Sequence, residues 1–245
     1  MKFLSFKQQG SLRLGVVTEG GVIDLNAAQP QVPADLGAAL LQGIDLQAAA
    51  IAATASDAPR LSLEGMEYAA PVARPGKIIC LGLNYFDHAK EGGREKPDYP
   101  WFFLRGATSL IAHGEAGIRP RVSDRLDYEA ELAVIIGKKA RHLSQADALG
   151  CVFGYSCFND ISVRDYQKKT PQWTIGKNFD GTGAFPLVYL IAMPLIHGAA
   201  SYTLFTGWCM GAHHVLLRRY DPKALLAAVE KDKVNIVSIV GDALA

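Results

Sequence analysis

Residues 127–137 read DYEAELAVIIG, with acids at every second position leading into an apolar run. Read as a strand, this stretch puts Asp127, Glu129, Glu131, Ala133 and Ile135 on one face and Tyr128, Ala130, Leu132, Val134 and Ile136 on the other. Neighbouring carboxylates on such a face stand roughly 6–7 Å apart by strand rise and repel unless something lies between them. Water with counter-ions, a Lys or Arg, or a metal ion would each serve. Asp160 ends a second apolar run, CVFGYSCFND, and is followed at once by ISVRD. Together Glu129, Glu131 and Asp160 could supply the oxygen ligands that a hard divalent cation takes. No paired His or Cys stands near them, so Mg2+ or Mn2+ suits this set better than zinc or copper. The alternative is an ordinary solvated strand face, and Asp127, one step further out, is expected at its solvated end.

Two further groups could do chemistry. In DHAKE, His88 and Glu91 are three residues apart and share a face if the stretch is helical. The carboxylate would then orient the imidazole as a general base toward water, and Gly92-Gly93 would hinge the turn as a lid. An exposed helical turn is the alternative. Lys177, in IGKNFDGTG, is either a solvated loop lysine or a cation that polarises a carbonyl or neutralises a carboxylate beside a metal. Arg164 and Gln167 carry the same ambiguity, with Arg164 pairing to Asp165 or another acid. The GTG at 181–183 reads as a turn rather than a phosphate loop.

The elements that must position these groups follow from the pattern. Residues 2–25 read as short strands, KFLSF, SLRLGVVTE and GVIDL, with Gly20-Gly21 as a hairpin signal. Residues 35–56 are Ala-rich and read as one helix opened by Asp35 as N-cap. A Pro-containing linker, YAAPVARPGK, closes this small α+β unit. Lys77–Leu83 reads as a buried strand, WFFLR as another, and Ser144–Gly150 as a short helix with Ser144 and Asp147 in a capping box. CVFGYSCFND is a strand, ISVRDYQKK a helix and QWTIGKNFDGTGAF a loop. Further on, HHVLLRRYDPKALLAAVEKDKVNIVSIVGD reads strand, helix, strand, with Asp221 as N-cap and Pro222 first in the helix. Such a βαβ unit requires a parallel sheet.

The chain of 245 residues is 49% hydrophobic and 20% charged, with net charge +1. That is a globular profile, without the electrostatic footprint of a nucleic-acid or anionic-membrane binder. The start lacks the apolar stretch of a signal peptide, and no uncharged apolar run is long enough to span a bilayer. Cys80, Cys151, Cys157 and Cys209 form no CxxC pair and are expected as reduced, buried thiols of a cytoplasmic protein.

Four stretches in order, LGLNYFDHAKE, LDYEAELAVIIGK, GYSCFNDISVRDYQ and QWTIGKNFDGTGAF, resemble the fumarylacetoacetate hydrolase family. The likeness covers residues 1–185, with 1–70 similar to the small N-terminal domain of many bacterial members. It implies an α+β architecture: a β-rich mixed roll or barrel over 71–187 behind that N-terminal domain. It implies that Glu129, Glu131 and Asp160 ligate Mg2+ or Mn2+, that His88 and Glu91 activate water, and that Lys177 stabilises charge on the substrate. The implied substrate is a small β-dicarbonyl or 2-oxo keto-acid, cleaved by C–C hydrolysis, decarboxylated or isomerised, in a homodimer without nucleic-acid or membrane partners. Beyond residue 187 the family pattern stops. Residues 188–245 resemble an internal piece of AMP-forming acyl-CoA synthetases without its phosphate loop or adenylate motifs, so the second half of the barrel is expected to be replaced by a βαβ-like segment. His197 is expected to be unused, and His213 and His214 to be strand residues. A metal-binding remnant without turnover and an acyl-CoA ligase fragment are the rival readings.

Overall fold

The computed structural model describes residues 1–85, 95 and 97–185, together with the backbone of strand residues 188–191, 213–216 and 236–238. The chain divides into two compact units. One holds Met1–Pro75, Ala112–Gly114 and Ala133–Ser156; the other holds Gly76–Ile111, Glu115–Leu132 and Cys157–Ala245.

The first unit begins with an antiparallel meander of β1 (Lys2–Gln8), β2 (Ser11–Thr18) and β3 (Gly21–Asp24). Gln9 and Gly10 both take positive φ, 51° and 76°, the pair of left-handed residues that closes a two-residue hairpin compatible with strand twist. Two short strands, β4 (Arg60–Leu61) and β5 (Glu67–Ala69), complete a sheet in the order β4-β3-β2-β1-β5. Helices Leu36–Leu41 and Leu46–Thr54 cover it, and Leu14, Val16, Ile23, Leu25, Leu36, Ala39, Leu46, Ala50 and Ala53 form the buried core. A Cβ on Gly15 would come within 2.5 Å of Val22 Cγ1, so a side chain at position 15 of β2 would displace Val22.

The single helix expected over 35–56 is two. Gly43 takes φ +69°, and the Ile44 N–H returns to the Ala39 carbonyl at 3.0 Å, which stops the first helix. Asp45 then caps the second by accepting from the Ala48 N–H at 2.9 Å. Asp35 caps the first, accepting from the Ala38 N–H at 2.8 Å and, through its other oxygen, from the Ala73 N–H at 3.2 Å.

In the second unit β6 (Ile78–Gly82) pairs antiparallel with β7 (Trp101–Arg105) as a two-stranded ribbon. The expectation of a buried strand at Lys77–Leu83 is corrected here. Ile79 and Leu81 are exposed, as are their cross-strand partners Leu104 and Phe102. A ribbon of two strands has one face against its neighbours, and here that face carries Phe103 and Gly82 against Trp173.

The remaining strands are β8 (Leu110–Ile111), β9 (Leu126–Asp127), β10 (Ala130–Ile136), β11 (Val152–Asp160), β12 (Ser162–Val163) and β13 (Gly183–Ala184). They form a sheet in the order β10-β11-β13-β8 and a β12-β9 pair. Three further elements differ from expectation. The helix placed at Ser144–Gly150 is a 3-10 turn at Ala148–Cys151, preceded by the Ser144–Asp147 hydrogen bonds. ISVRDYQKK supplies one helical turn, Arg164–Gln167, and the loop at 172–185 contains another, Thr174–Lys177. Last, β14 (Val188–Ile191) lies between β15 (His213–Leu216) and β16 (Ile236–Ser238), parallel to both. The strands on either side of the expected helix are therefore present in a parallel sheet; the helix itself, with Asp221 and Pro222, and His197 lie outside the described residues.

Cys80, Cys151 and Cys157 are in no disulfide, and Cys157 alone of these three is buried. Cys209 lies outside the described residues. Among the described residues no helix is long and apolar enough to cross a membrane.

Replacing Asp35 by Ala should lower unfolding stability by about 1–2 kcal/mol, the usual range for a lost cap that also serves a second donor. The exposed Asp45→Ala should cost less. Urea midpoints of the two variants at constant slope check the order.

Candidate active site

The acidic run is a strand with a break. β9 ends at Asp127, paired with Ser162 of β12, and β10 begins at Ala130. Across the break Glu129 is held by its backbone: its N–H donates to Asn159 Oδ1 at 3.1 Å and its carbonyl accepts from the Asp160 N–H at 2.9 Å. These bonds tie the end of β11 to the start of β10 and put the Glu129 and Asp160 side chains in one place.

Three cations converge on them. The Lys177 ammonium donates to Asp160 Oδ2 at 2.6 Å and lies 2.9 Å from Glu129 Oε2. The Arg105 guanidinium pairs with Asp160 Oδ1 through Nη1. Arg164 pairs with Glu129 Oε1 through Nη1 and with Asp127 Oδ2 through Nε, the latter at 2.7 Å. Ser162 Oγ donates to Glu129 Oε1 at 3.0 Å. Arg105 and Asp160 are almost wholly excluded from solvent, with side chains 0% and 4% exposed, and Lys177 is 1% exposed. Charges held this deep persist because each meets an opposite charge or a dipole; a lone one would be strongly destabilising.

Glycines open the space for the two deepest cations. A Cβ on Gly183 would stand 3.2 Å from Arg105 Nη2 and 3.0 Å from Phe158 Cζ. With that room Arg105 also donates to Thr182 Oγ1 at 2.9 Å and Ser109 Oγ at 3.3 Å, its guanidinium 5.7 Å from the Phe158 ring centroid. A Cβ on Gly176 would come within 2.5 Å of the Gln167 nitrogen, so glycine lets the two one-turn helices meet and carry Lys177 inward. The ammonium then lies 5.3 Å from the Phe103 ring centroid.

Glu131 stands beside this cluster. Burial first, then the Glu129 and Asp160 carboxylates, push its carboxyl up to about 8, with Lys177 and a hydrogen bond from Tyr85 acting the other way. Burial also pushes the nearby Cys80 thiol up to about 12, with Asp160 adding to the effect. Such a thiol is a poor nucleophile at neutral pH.

The structure thus brings Glu129, Asp160 and Lys177 into direct contact and puts Glu131 within their electrostatic reach. His88 and Glu91 lie outside the described residues. Asp127, expected to be solvated, is paired with Arg164, which also holds Glu129. Arg164 also donates to Gln167 Oε1 at 2.9 Å, whereas Asp165 accepts from Ser123 Oγ at 2.6 Å instead. Arg105 and Tyr85 were not singled out by the sequence, and Cys80 was expected only as a reduced, buried thiol. The signal for Arg105 was a single cation ending the apolar strand WFFLR.

As a donor set, carboxylate oxygens without His or thiolate suit a hard divalent cation. Glu131, whose carboxyl is pushed up first by burial and then by the Glu129 and Asp160 carboxylates, is a third carboxyl beside the pair. Among the described residues no group of three His, Cys, Asp or Glu is arranged to hold a metal ion, and both carboxylates in direct contact are engaged by cationic side chains. The donors suit the ion by type, while the described side chains pair Glu129 and Asp160 with Arg105, Arg164 and Lys177.

The raised carboxyl of Glu131 gives a pH prediction. Its folded value, about 8, lies above the ordinary 4.5, so the metal-free folded state binds the proton more tightly than the unfolded chain. Stability from this group is complete below the ordinary value and is lost as pH rises through the folded one. Metal-free wild type should lose stability across that interval, and Glu131→Gln should flatten the loss. Urea midpoints measured from pH 5 to pH 9 in both proteins check the sign.

Comparison with known proteins bears on the arrangement of strands. Residues 77–193 match the family described as "Fumarylacetoacetate (FAA) hydrolase C-terminal". Human mitochondrial oxaloacetate tautomerase FAHD2A is 39% identical over 163 residues, which is 66% of this chain and 52% of that protein. The chain spans about half the length of the curated relatives it matches. Among solved structures, the fumarylacetoacetate hydrolase of psychrophilic Exiguobacterium antarcticum is 35% identical with a TM-score of 0.61, covering 76% of this chain and 64% of that one. Maleylpyruvate hydrolase from Sphingobium sp. SYK-6, solved with manganese(II) and pyruvate, is 27% identical with a TM-score of 0.60 over 76% of this chain and 65% of that one. Residues 77–193 are thus similar to the fumarylacetoacetate hydrolase family, in a β-rich fold that the solved structures share.

Proposed function

We propose that this chain acts on a small β-dicarbonyl or 2-oxo acid with Mg2+ or Mn2+ held by Glu129, Glu131 and Asp160. The observation that carries the reading is the buried convergence of Glu129 and Asp160 on Lys177, with Glu131 alongside. The names of its relatives, oxaloacetate tautomerase and maleylpyruvate hydrolase, support the substrate class. So does the manganese and pyruvate in the latter's structure.

A divalent ion bound there would polarise the substrate's oxo group as a Lewis acid. The chain's own residues would do the rest. Arg105 and Arg164 hold the Asp160 and Glu129 carboxylates in fixed orientation through Asp160 Oδ1 and Glu129 Oε1. Lys177 would stabilise negative charge on the substrate. His88, oriented by Glu91, would take the proton from water; both lie outside the described residues. The reaction is C–C hydrolysis, decarboxylation or isomerisation, reactions that share a need for negative charge to be stabilised beside an oxo group.

In this reading residues 1–70 form the small N-terminal domain and 71–187 the catalytic domain. Residues 188–245 form a segment that resembles acyl-CoA synthetases but lacks the motifs for adenylation, so we assign it no ligase activity. A cytoplasmic homodimer is part of the same proposal.

Turnover of oxaloacetate and of an acylpyruvate, assayed with Mg2+ or Mn2+ and after chelation, tests the reading. Activity should vanish on chelation and fall on the order of 100-fold or more in Glu129→Ala, as expected when a metal ligand is lost. A wild type that turns over neither acid, or a Glu129→Ala variant as active as wild type, would sink it.

A further inference from the structure

Each carboxylate oxygen of Glu129 and Asp160 has a cationic partner: Arg164 on Glu129 Oε1, Arg105 on Asp160 Oδ1, and Lys177 on both Glu129 Oε2 and Asp160 Oδ2. An incoming cation that binds both carboxylates therefore competes with these three for their oxygens. The two arginines are anchored elsewhere. Arg105 donates to Ser109, Thr182 and the Ile161 carbonyl, and Gly183 packs against its guanidinium. Arg164 also holds Asp127 and Gln167. Lys177 differs: the polar contacts described for its ammonium are the two carboxylates themselves. It is also a compact charge on a four-carbon arm, rather than a planar fork locked at several nitrogens.

We propose that Lys177 is the built-in counter-ion of the metal-free site, which a divalent cation displaces from Glu129 Oε2 and Asp160 Oδ2 while Arg105 and Arg164 stay in place. The lysine then has two positions in one working cycle. It neutralises the buried carboxylates in the metal-free protein, and it is released from them once the ion takes over that charge. This gives the site a threshold for metal, since the ion must outcompete an ammonium already in contact with both oxygens. The proposal rests on the metal reading of the site and adds to it the identity of the group that yields.

Metal affinity and folding stability test this without an activity readout. The full chain, stripped of metal by chelation and dialysis, is titrated calorimetrically with Mn2+ and with Mg2+, beside Lys177→Met. Removing the competing charge should tighten metal binding by about tenfold or more, given the size of charge interactions at such distances. The melting midpoint of the metal-free variant should fall, and its rise on adding Mn2+ should exceed that of wild type. Lys177→Gln, which keeps a donor to one carboxylate, is read in the same way should Lys177→Met fail to fold. Binding detected in the variant but not in wild type supports the proposal. Equal or weaker binding in the variant, with binding in wild type, overturns the counter-ion role alone. No binding by either protein overturns the metal reading and the counter-ion role with it.

Discussion

The contact on which the site depends is the one between the Lys177 ammonium and the Asp160 carboxylate, 2.6 Å apart and sealed from water. Neither charge could be held at that depth alone. Each therefore fixes where the other's element must lie. Asp160 ends β11, and Lys177 ends a helical turn that reaches inward because Gly176 lets it approach the Gln167 backbone. Arg105 is the second clamp on Asp160, and Gly183 leaves room for it. Once these are in place, the backbone bonds between Glu129 and the Asn159–Asp160 pair bring the acidic strand into the same cluster.

The cluster balances four acids, Asp127, Glu129, Glu131 and Asp160, against three cations, Arg105, Arg164 and Lys177. The imbalance is expressed at Glu131, whose carboxyl is pushed up to about 8 by burial and by the two neighbouring carboxylates. At neutral pH Glu131 therefore keeps its proton, and a divalent ion that replaced this proton would meet three carboxyl groups, the link between the cluster and the chemistry proposed for it.

Much of this was legible in the residues. The alternation of Glu129 and Glu131 named the face, and Asp160 at the end of an apolar run named the second wall. The stop at Gly43 and the second cap at Asp45 were not read, because an Ala-rich pattern that runs on through both reads as one helix; the backbone at Gly43 decides otherwise. The burial of Lys177 was not legible. A lysine in a polar stretch is exposed by default, and only the tertiary approach at Gly176 takes it inside. Arg105 was hidden for a related reason, because its partner lies 55 residues away and nothing local to WFFLR marks the pairing. The exposure of Ile79 and Leu81 was unreadable too, since an apolar run does not say how many strands will flank it.

The most direct test of the account is a crystal structure of the chain grown with Mn2+, with anomalous differences recorded at the manganese edge. The account predicts one strong peak ligated by carboxylate oxygens of Glu129, Glu131 and Asp160, with Arg105 still paired to Asp160 Oδ1. Its central claim would be contradicted by a saturated crystal with no anomalous peak among these three side chains and the Lys177 ammonium still in contact with Glu129 and Asp160.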